Sequence, residues 1–168
     1  MEVRRMGAQD VAAVSRFIRE AWREAGPGAL GWSGATEEDI AEISSEGFLE
    51  RSAGDPGQDF FIALDGGRVV GMAVGRAGEV DEVELSGIVV IQSLVGRGIG
   101  GRLFEKVQGS AEVRGARRIV VKTEESNDRA ISFYTRNGFE LVGRKTEKVG
   151  ETNVRLALLS KDLREGRA

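Results

Sequence analysis

The sequence contains no cysteine and no histidine. No disulfide can staple the chain, so stability does not call for an oxidising compartment. There is no thiolate nucleophile, no imidazole base and no zinc site of the cysteine–histidine kind. Acid–base work falls to Asp, Glu, Tyr, Lys, a terminus or water. No apolar run approaches the ~20 residues of a membrane span, and no basic-then-apolar leader opens the chain. The expectation is a cytoplasmic protein with no membrane partner. Positive charge is not in excess either. The net charge is −3, so no global field invites nucleic acid. Arginine outnumbers lysine but is scattered among acids.

What is present suits one folded domain. The 168 residues are 40% hydrophobic and 30% charged, enough chain for a real core. Residues 1–160 read as that domain and 161–168 as a polar tail. No repeat, low-complexity segment or linker divides it.

Ser86 to Gly101, SGIVVIQSLVGRGIGG, is the most informative stretch. An apolar run reads as a buried strand and ends in Gly96, Gly98, Gly100 and Gly101. A helix follows, with Ile99, Leu103, Phe104, Val107 and Ala111 on one face. The first N–H groups of a helix lack internal partners, and the helix dipole adds positive charge there. Glycines let such a turn curl around a phosphate without Cβ clashes. Residues 95–101 are therefore a candidate phosphate cradle, with tight packing as the alternative. Gly96-x-Gly98-x-x-Gly101 also satisfies the dinucleotide fingerprint, with Glu124 about 20 residues beyond it.

The remaining elements decide between these readings. Val3–Met6 is a short edge strand. Asp10–Ala25 is an amphipathic helix ended by Gly26-Pro27. Pro27–Ala35 is a loop carrying Trp32. Thr36-Glu37-Glu38-Asp39 resembles a capping box and opens one helix carrying Ile40, Ile43, Phe48 and Leu49. Phe60–Leu64, the turn Asp65-Gly66-Gly67 and Arg68–Gly75 form a hairpin. A turn at Gly75–Gly78 leads to a strand over Glu79–Ile91, making three antiparallel strands in a row. After the helix Ile99–Arg114 come a strand at Arg118–Thr123, a helix at Asn127–Asn137, and strands at Phe139–Lys145 and Asn153–Leu159. A doubly wound dinucleotide fold alternates strands and helices through six parallel strands. The antiparallel run before the glycine turn argues against that reading.

The segment Asn127-Asp128-Arg129-Ala130-Ile131-Ser132-Phe133-Tyr134-Thr135-Arg136-Asn137-Gly138-Phe139 carries a second motif. It meets every fixed position of N-x-x-A-x-x-F-Y-x-x-x-G-F. At this point the sequence resembles the GNAT acetyltransferases, which use acetyl-coenzyme A. Their acyl-coenzyme motif, [QR]-x-x-G-x-[GA] after a strand, is met by Val95-Gly96-Arg97-Gly98-Ile99-Gly100 except at Val95. The resemblance covers Asp81–Leu159 and fits the element order of the whole chain. It implies an α/β fold with a mixed, mostly antiparallel sheet of about seven strands and about four helices. Loss of the usual side-chain hydrogen bond at Val95 should weaken the grip by about 1 kcal/mol, while valine keeps its own N–H as a donor.

The resemblance further implies acetyl transfer to a primary amine by direct attack in a ternary complex, with no metal. Without cysteine an acetyl-Cys intermediate is impossible. Val95, Gly96, Arg97, Gly98, Ile99, Gly100 and Gly101 would grip the diphosphate. Val89, Val90 and Ile91 would bind the pantetheine arm through their backbones, where that strand and Arg118–Thr123 splay apart. A backbone N–H of Val89 or Val90 would polarise the thioester carbonyl. Tyr134 matches the general acid, with core packing as its plain alternative. Asn127 suits both a helix N-cap and a contact to the coenzyme arm. Arg129 and Arg136 either approach the phosphates or are simply solvated. Glu82 and Glu84 face the same way, and Glu84, nearer the thioester, is the chosen base, against Glu82, water or a solvated strand face. The acceptor would be held by Gly28–Ala35 and Lys145–Thr152. No signature names it, whether small molecule or protein amine. The family often dimerises, but no interface is legible. A non-catalytic acyl-CoA sensor is the alternative from another class.

Overall fold

A computed structural model describes residues 1–26 and 35–164. Strand β1 (Glu2–Arg5) and a short 3-10 turn at Ala8–Asp10 lead into helix α1 (Val11–Ala25). Helix α1 buries Val11, Val14, Phe17, Ile18 and Ala21 on one face. Gly26 stops it with φ +66, a conformation other residues rarely take. The Pro27–Ala35 loop, with Trp32, lies outside the described residues apart from Ala35, which is buried.

The expected capping box at Thr36 forms. Thr36 Oγ1 accepts the Asp39 N–H, and Asp39 Oδ2 accepts the Thr36 N–H. The single helix expected from there to Leu49 is instead two, α2 (Glu37–Ile43) and α3 (Glu46–Gly54). Two serines cause the break by competing for backbone groups. The Ser45 hydroxyl donates to Glu42 O at 2.7 Å and accepts the Phe48 N–H, ending one helix and capping the next. The Ser44 carbonyl turns inward to accept the Ser15 hydroxyl at 2.6 Å.

Strands β2 (Gln58–Asp65) and β3 (Arg68–Ala77) form the expected hairpin, with Gly66 and Gly67 at φ +56 and +82 in its turn. β3 outruns its expected end, and β4 (Glu82–Val90) starts three residues later than expected. Then come α4 (Ile99–Val113), β5 (Arg118–Glu124), α5 (Asp128–Arg136), β6 (Glu140–Val149) and β7 (Thr152–Asp162). β7 absorbs the start of the expected tail. Lys161 and Asp162 lie in the strand, and Leu163 is buried with its N–H donating to Arg117 O.

The seven strands make one sheet in the order β1-β2-β3-β4-β5-β7-β6, in which only β4 and β5 run parallel. This is not the doubly wound parallel sheet of a dinucleotide fold. Helix α4 packs on one face. A Cβ at Gly71 would meet Leu103 and Ile99 of α4, and one at Gly75 would meet Val107, both at 3.0–3.3 Å. These two glycines let the helix come close to the strand. Helices α1 and α3 cover the other face, α1 against β3 and α3 against β2. Asp59 of β2, 2% exposed, is clasped by Arg114, at the C-terminal cap of α4, at 2.7 Å and by Arg5 of β1, tying edge strand, sheet and helix end together.

Candidate active site

The site begins where the one parallel pair fails. β4 and β5 pair only from Glu82↔Arg118 to Leu85↔Val121. Beyond that point β4 continues to Val90 and β5 to Glu124 without bonding each other. The gap opens into a cleft of about 1340 Å³. Ala21 and Ala25 of α1 line it from one face of the sheet, and α4 and α5 from the other.

A bulge in β4 sets which side chains look which way. Opposite Val74 and Gly75 stand Gly87 and Leu85, leaving Ser86 extra. Val83 lies against the α4 face, since its Cγ1 is 3.3 Å from a Cβ placed on Gly75. Glu82 and Glu84 therefore point to the opposite face. After the bulge the phase inverts, and Ile88 Cγ2 reaches towards Gly100 of α4. The two carboxylates differ in their surroundings. Glu82 is held by Arg118 Nε at 2.7 Å, whereas Glu84 lines the cleft.

The backbone of β4 alternates in the same way. Ile91 N–H donates to Val70 O at 2.9 Å, which fixes the ladder phase. Bonded and non-bonded pairs alternate along an antiparallel ladder. Val89, paired with Met72, thus spends its backbone on β3, as Ile91 does. Val90 and Ile88 turn theirs to the open side. Of the three residues expected to meet the coenzyme arm, Val90 alone presents free backbone groups to the cleft. Ile88, which sequence reasoning passed over, joins it. Ladder phase has no trace in residue types, so no signal in the sequence marked Ile88.

At the strand's end the chain makes a 3-10 turn at Gln92–Leu94 and then the glycine turn. Val95 differs from the expectation. Its N–H bonds to Gln92 O at 3.3 Å, so it is not a free donor, and its side chain is 37% exposed at the cleft. The next six amides, Gly96, Arg97, Gly98, Ile99, Gly100 and Gly101, donate to no described residue, and the helical ladder starts only with Arg102 N–H to Gly98 O. Gly96 and Gly98 have φ +84 and +79, which aligns these donors at the α4 N-terminus. Gly100 permits close approach, because a Cβ there would lie 3.2 Å from the Phe133 ring. A row of unpaired, converging N–H groups at a helix start fits an anionic diphosphate.

Helix α5 supplies the opposite wall. Asn127 caps it, its Oδ1 accepting the Ala130 N–H at 3.1 Å, and also lines the cleft. Tyr134 is 7% exposed and packs edge-on against Phe133 and Phe139 with centroids 5.5 and 5.4 Å away. The ring is part of the core, its hydroxyl has no hydrogen-bond partner among the described residues, and the residue lines the cleft. Burial pushes its pKa up to about 12. On the far face Lys122, Glu147 and Leu156 complete the lining. Glu147 contacts Lys145 and lies 3.7 Å from Lys122. Its carboxyl is held below the ordinary range mainly by the Lys145 hydrogen bond.

The acetyltransferase (GNAT) family model matches residues 16–139. The chain belongs to the GNAT acetyltransferase family. It is similar to an uncharacterised N-acetyltransferase of Mycobacterium tuberculosis, 34% identical over 110 residues, spanning 66% of this chain and 70% of that one. Among solved structures, a ribosomal-protein-alanine N-acetyltransferase from Brucella melitensis superposes with a TM-score of 0.77 at 20% identity. The match covers 97% of this chain and 100% of that one. The PaiA N-acetyltransferase of Thermoplasma acidophilum, solved with coenzyme A, gives 0.75 at 20% identity over 96% and 98%. The structural likenesses show the GNAT fold. With the family match they make this an N-acetyltransferase that uses acetyl-CoA as donor to an amine acceptor. Among the described residues no helix is long and apolar enough to cross a membrane.

Proposed function

We propose that the chain transfers acetyl directly to a primary amine within a ternary complex, in the gap between β4 and β5. The observation that carries this reading is the row of six unpaired amides at Gly96–Gly101, with the free Tyr134 hydroxyl in the same cleft. The amides would hold the diphosphate. The open-side groups of Ile88 and Val90 would bond the pantetheine arm as a partner strand does, and Asn127 would reach it from α5. The Ile88 N–H would polarise the thioester carbonyl, where negative charge develops during attack.

Glu84 and Tyr134 enter the gap from opposite faces of the sheet. That arrangement suits a base on the acceptor side and a donor on the leaving-group side. Glu84 would take the proton from the acceptor ammonium, directly or through water. The bond from amine nitrogen to carbonyl carbon forms and the carbon–sulfur bond breaks. The attacking nitrogen sheds its second proton as the amide forms. That proton ends on the departing sulfur, directly or through water, so that amide and thiol leave. With its pKa raised by burial to about 12, Tyr134 is protonated at neutral pH. A free thiol has a pKa near 8.5, so complete transfer to a solvated thiolate would run uphill by roughly 3–4 units. Tyr134 therefore acts by hydrogen-bonding the sulfur as charge builds, and the same burial raises the thiol towards it. The non-catalytic sensor reading finds no support, since a sensor needs neither group in the gap.

Initial-rate kinetics with acetyl-CoA and a panel of primary amines, followed by thiol release, test this. Intersecting double-reciprocal lines are expected for at least one amine. Parallel lines would overturn direct attack.

A further inference from the structure

Helix α5 carries two arginines that the transfer chemistry does not use. Arg129 and Arg136 lie seven residues apart, two turns, and so share one face with Phe133 between them. That face is the one turned to α4, because Phe133 packs against Gly100. Both arginines line the cleft across from the unpaired amides. Neither pairs with an acid among the described residues. Arg144 and Arg155, both against Glu125, and Arg117, against Asp81, do so. Others such as Arg76 and Arg97 also lack an acid among the described residues, so it is the place of Arg129 and Arg136 on the cleft wall that sets them apart. The cleft wall thus presents two free guanidinium groups about 10 Å apart along the helix, beside a donor row already suited to a diphosphate.

We propose that Arg129 and Arg136 form a second phosphate-reading element, which recognises the 3′-phosphate of the coenzyme's adenosine end and so selects coenzyme A over its dephosphorylated form. The inference rests on the coenzyme reading of the glycine turn and adds to it. The six amides can serve one diphosphate. They have no free donors beyond those positions for a third phosphate group. A phosphate monoester carries close to two negative charges and three acceptor oxygens, which a guanidinium fork matches better than an amide row. The pair brackets the rim and leaves the thioester end to Asn127 and Tyr134.

The test is isothermal titration of coenzyme A and 3′-dephospho-coenzyme A into the full chain and into Arg129→Gln, Arg136→Gln and the double variant. Both side chains are exposed, so folding is expected to survive, and melting curves without ligand check it. The wild-type chain should prefer coenzyme A by roughly tenfold to a hundredfold, the range for hydrogen bonds to charged groups. The double variant should bind the two forms within about twofold of each other, by losing affinity only for coenzyme A. That preference should also fall with added salt in the wild type. Equal wild-type affinity for both forms, or a full preference kept by the double variant, would overturn the inference while leaving the coenzyme site in place. Failure of the wild type to bind either form would overturn the coenzyme reading and this inference together.

Discussion

At the scale of single residues, the proposed chemistry rests on two side chains whose neighbours differ sharply. Tyr134 is held by rings on both sides and exposes only its hydroxyl to the cleft. Tyr134→Phe keeps that packing and deletes the donor. Turnover should fall by about a hundredfold or more with the melting temperature nearly unchanged, and wild-type turnover at all pH values would remove Tyr134 from the reaction. Glu84 is a half-buried carboxylate at the cleft, whereas Glu82, two residues earlier on the same face, is engaged with Arg118. Glu84→Gln should lower the rate most on the acidic side of the pH profile, where the amine needs help losing its proton. Glu82→Gln should leave the profile's shape alone, and a profile untouched by the Glu84 change would move the base role to water. Alternation in the strand showed that the two acids share a face. The ion pair that separates them required the position of Arg118 on a strand 36 residues away.

At the scale of elements, the glycine turn and α5 work as a pair. Gly100 has little room for a side chain, since Phe133 Cε2 would lie 3.2 Å from its Cβ. Gly100→Val must push the α4 start and α5 apart, and a β-branched residue in the first turn adds further crowding. Calorimetry should show acetyl-CoA affinity falling by about tenfold or more. Unchanged affinity would end the assignment of this turn as the coenzyme grip. Both motifs were legible because their spacing encodes local geometry. The positive-φ glycines, the Asn127 cap and the apolar face of α4 each depend on residues within a few positions of one another. The β4 bulge was not legible. Ser86 is extra only relative to β3, and the bulge decides that Ile88 rather than Val89 turns its N–H to the gap. The split of α2 from α3 escaped for a similar reason, since the Ser15 hydroxyl that holds the Ser44 carbonyl comes from α1.

At the scale of the whole molecule, two buried groups tie stability to pH at opposite ends. Burial alone would raise the pKa of Asp59, but hydrogen bonds from Arg114, Ser110 and Arg5 outweigh it and lower it to about 2. Its contribution is present above the ordinary value of 3.8 and is lost as pH falls towards 2. Urea unfolding should therefore show stability dropping over that interval, and Asp59→Asn should flatten the drop while lowering stability at neutral pH. Tyr134 behaves the other way. Its folded pKa near 12 lies above the ordinary 10, so its contribution is complete below pH 10 and is lost as pH rises through 12. Tyr134→Phe should remove that part of the alkaline loss. Sequence alone determined the order of elements apart from the break between α2 and α3, the antiparallel hairpins, the glycine turn and the second motif, because periodicity, turn residues and caps act over short distances along the chain. Only the tertiary structure decided where β4 and β5 part, which backbone groups face the gap, and that Tyr134 and Glu84 line one cleft. Those outcomes depend on register and packing between segments far apart in the chain, which no local pattern of residues records.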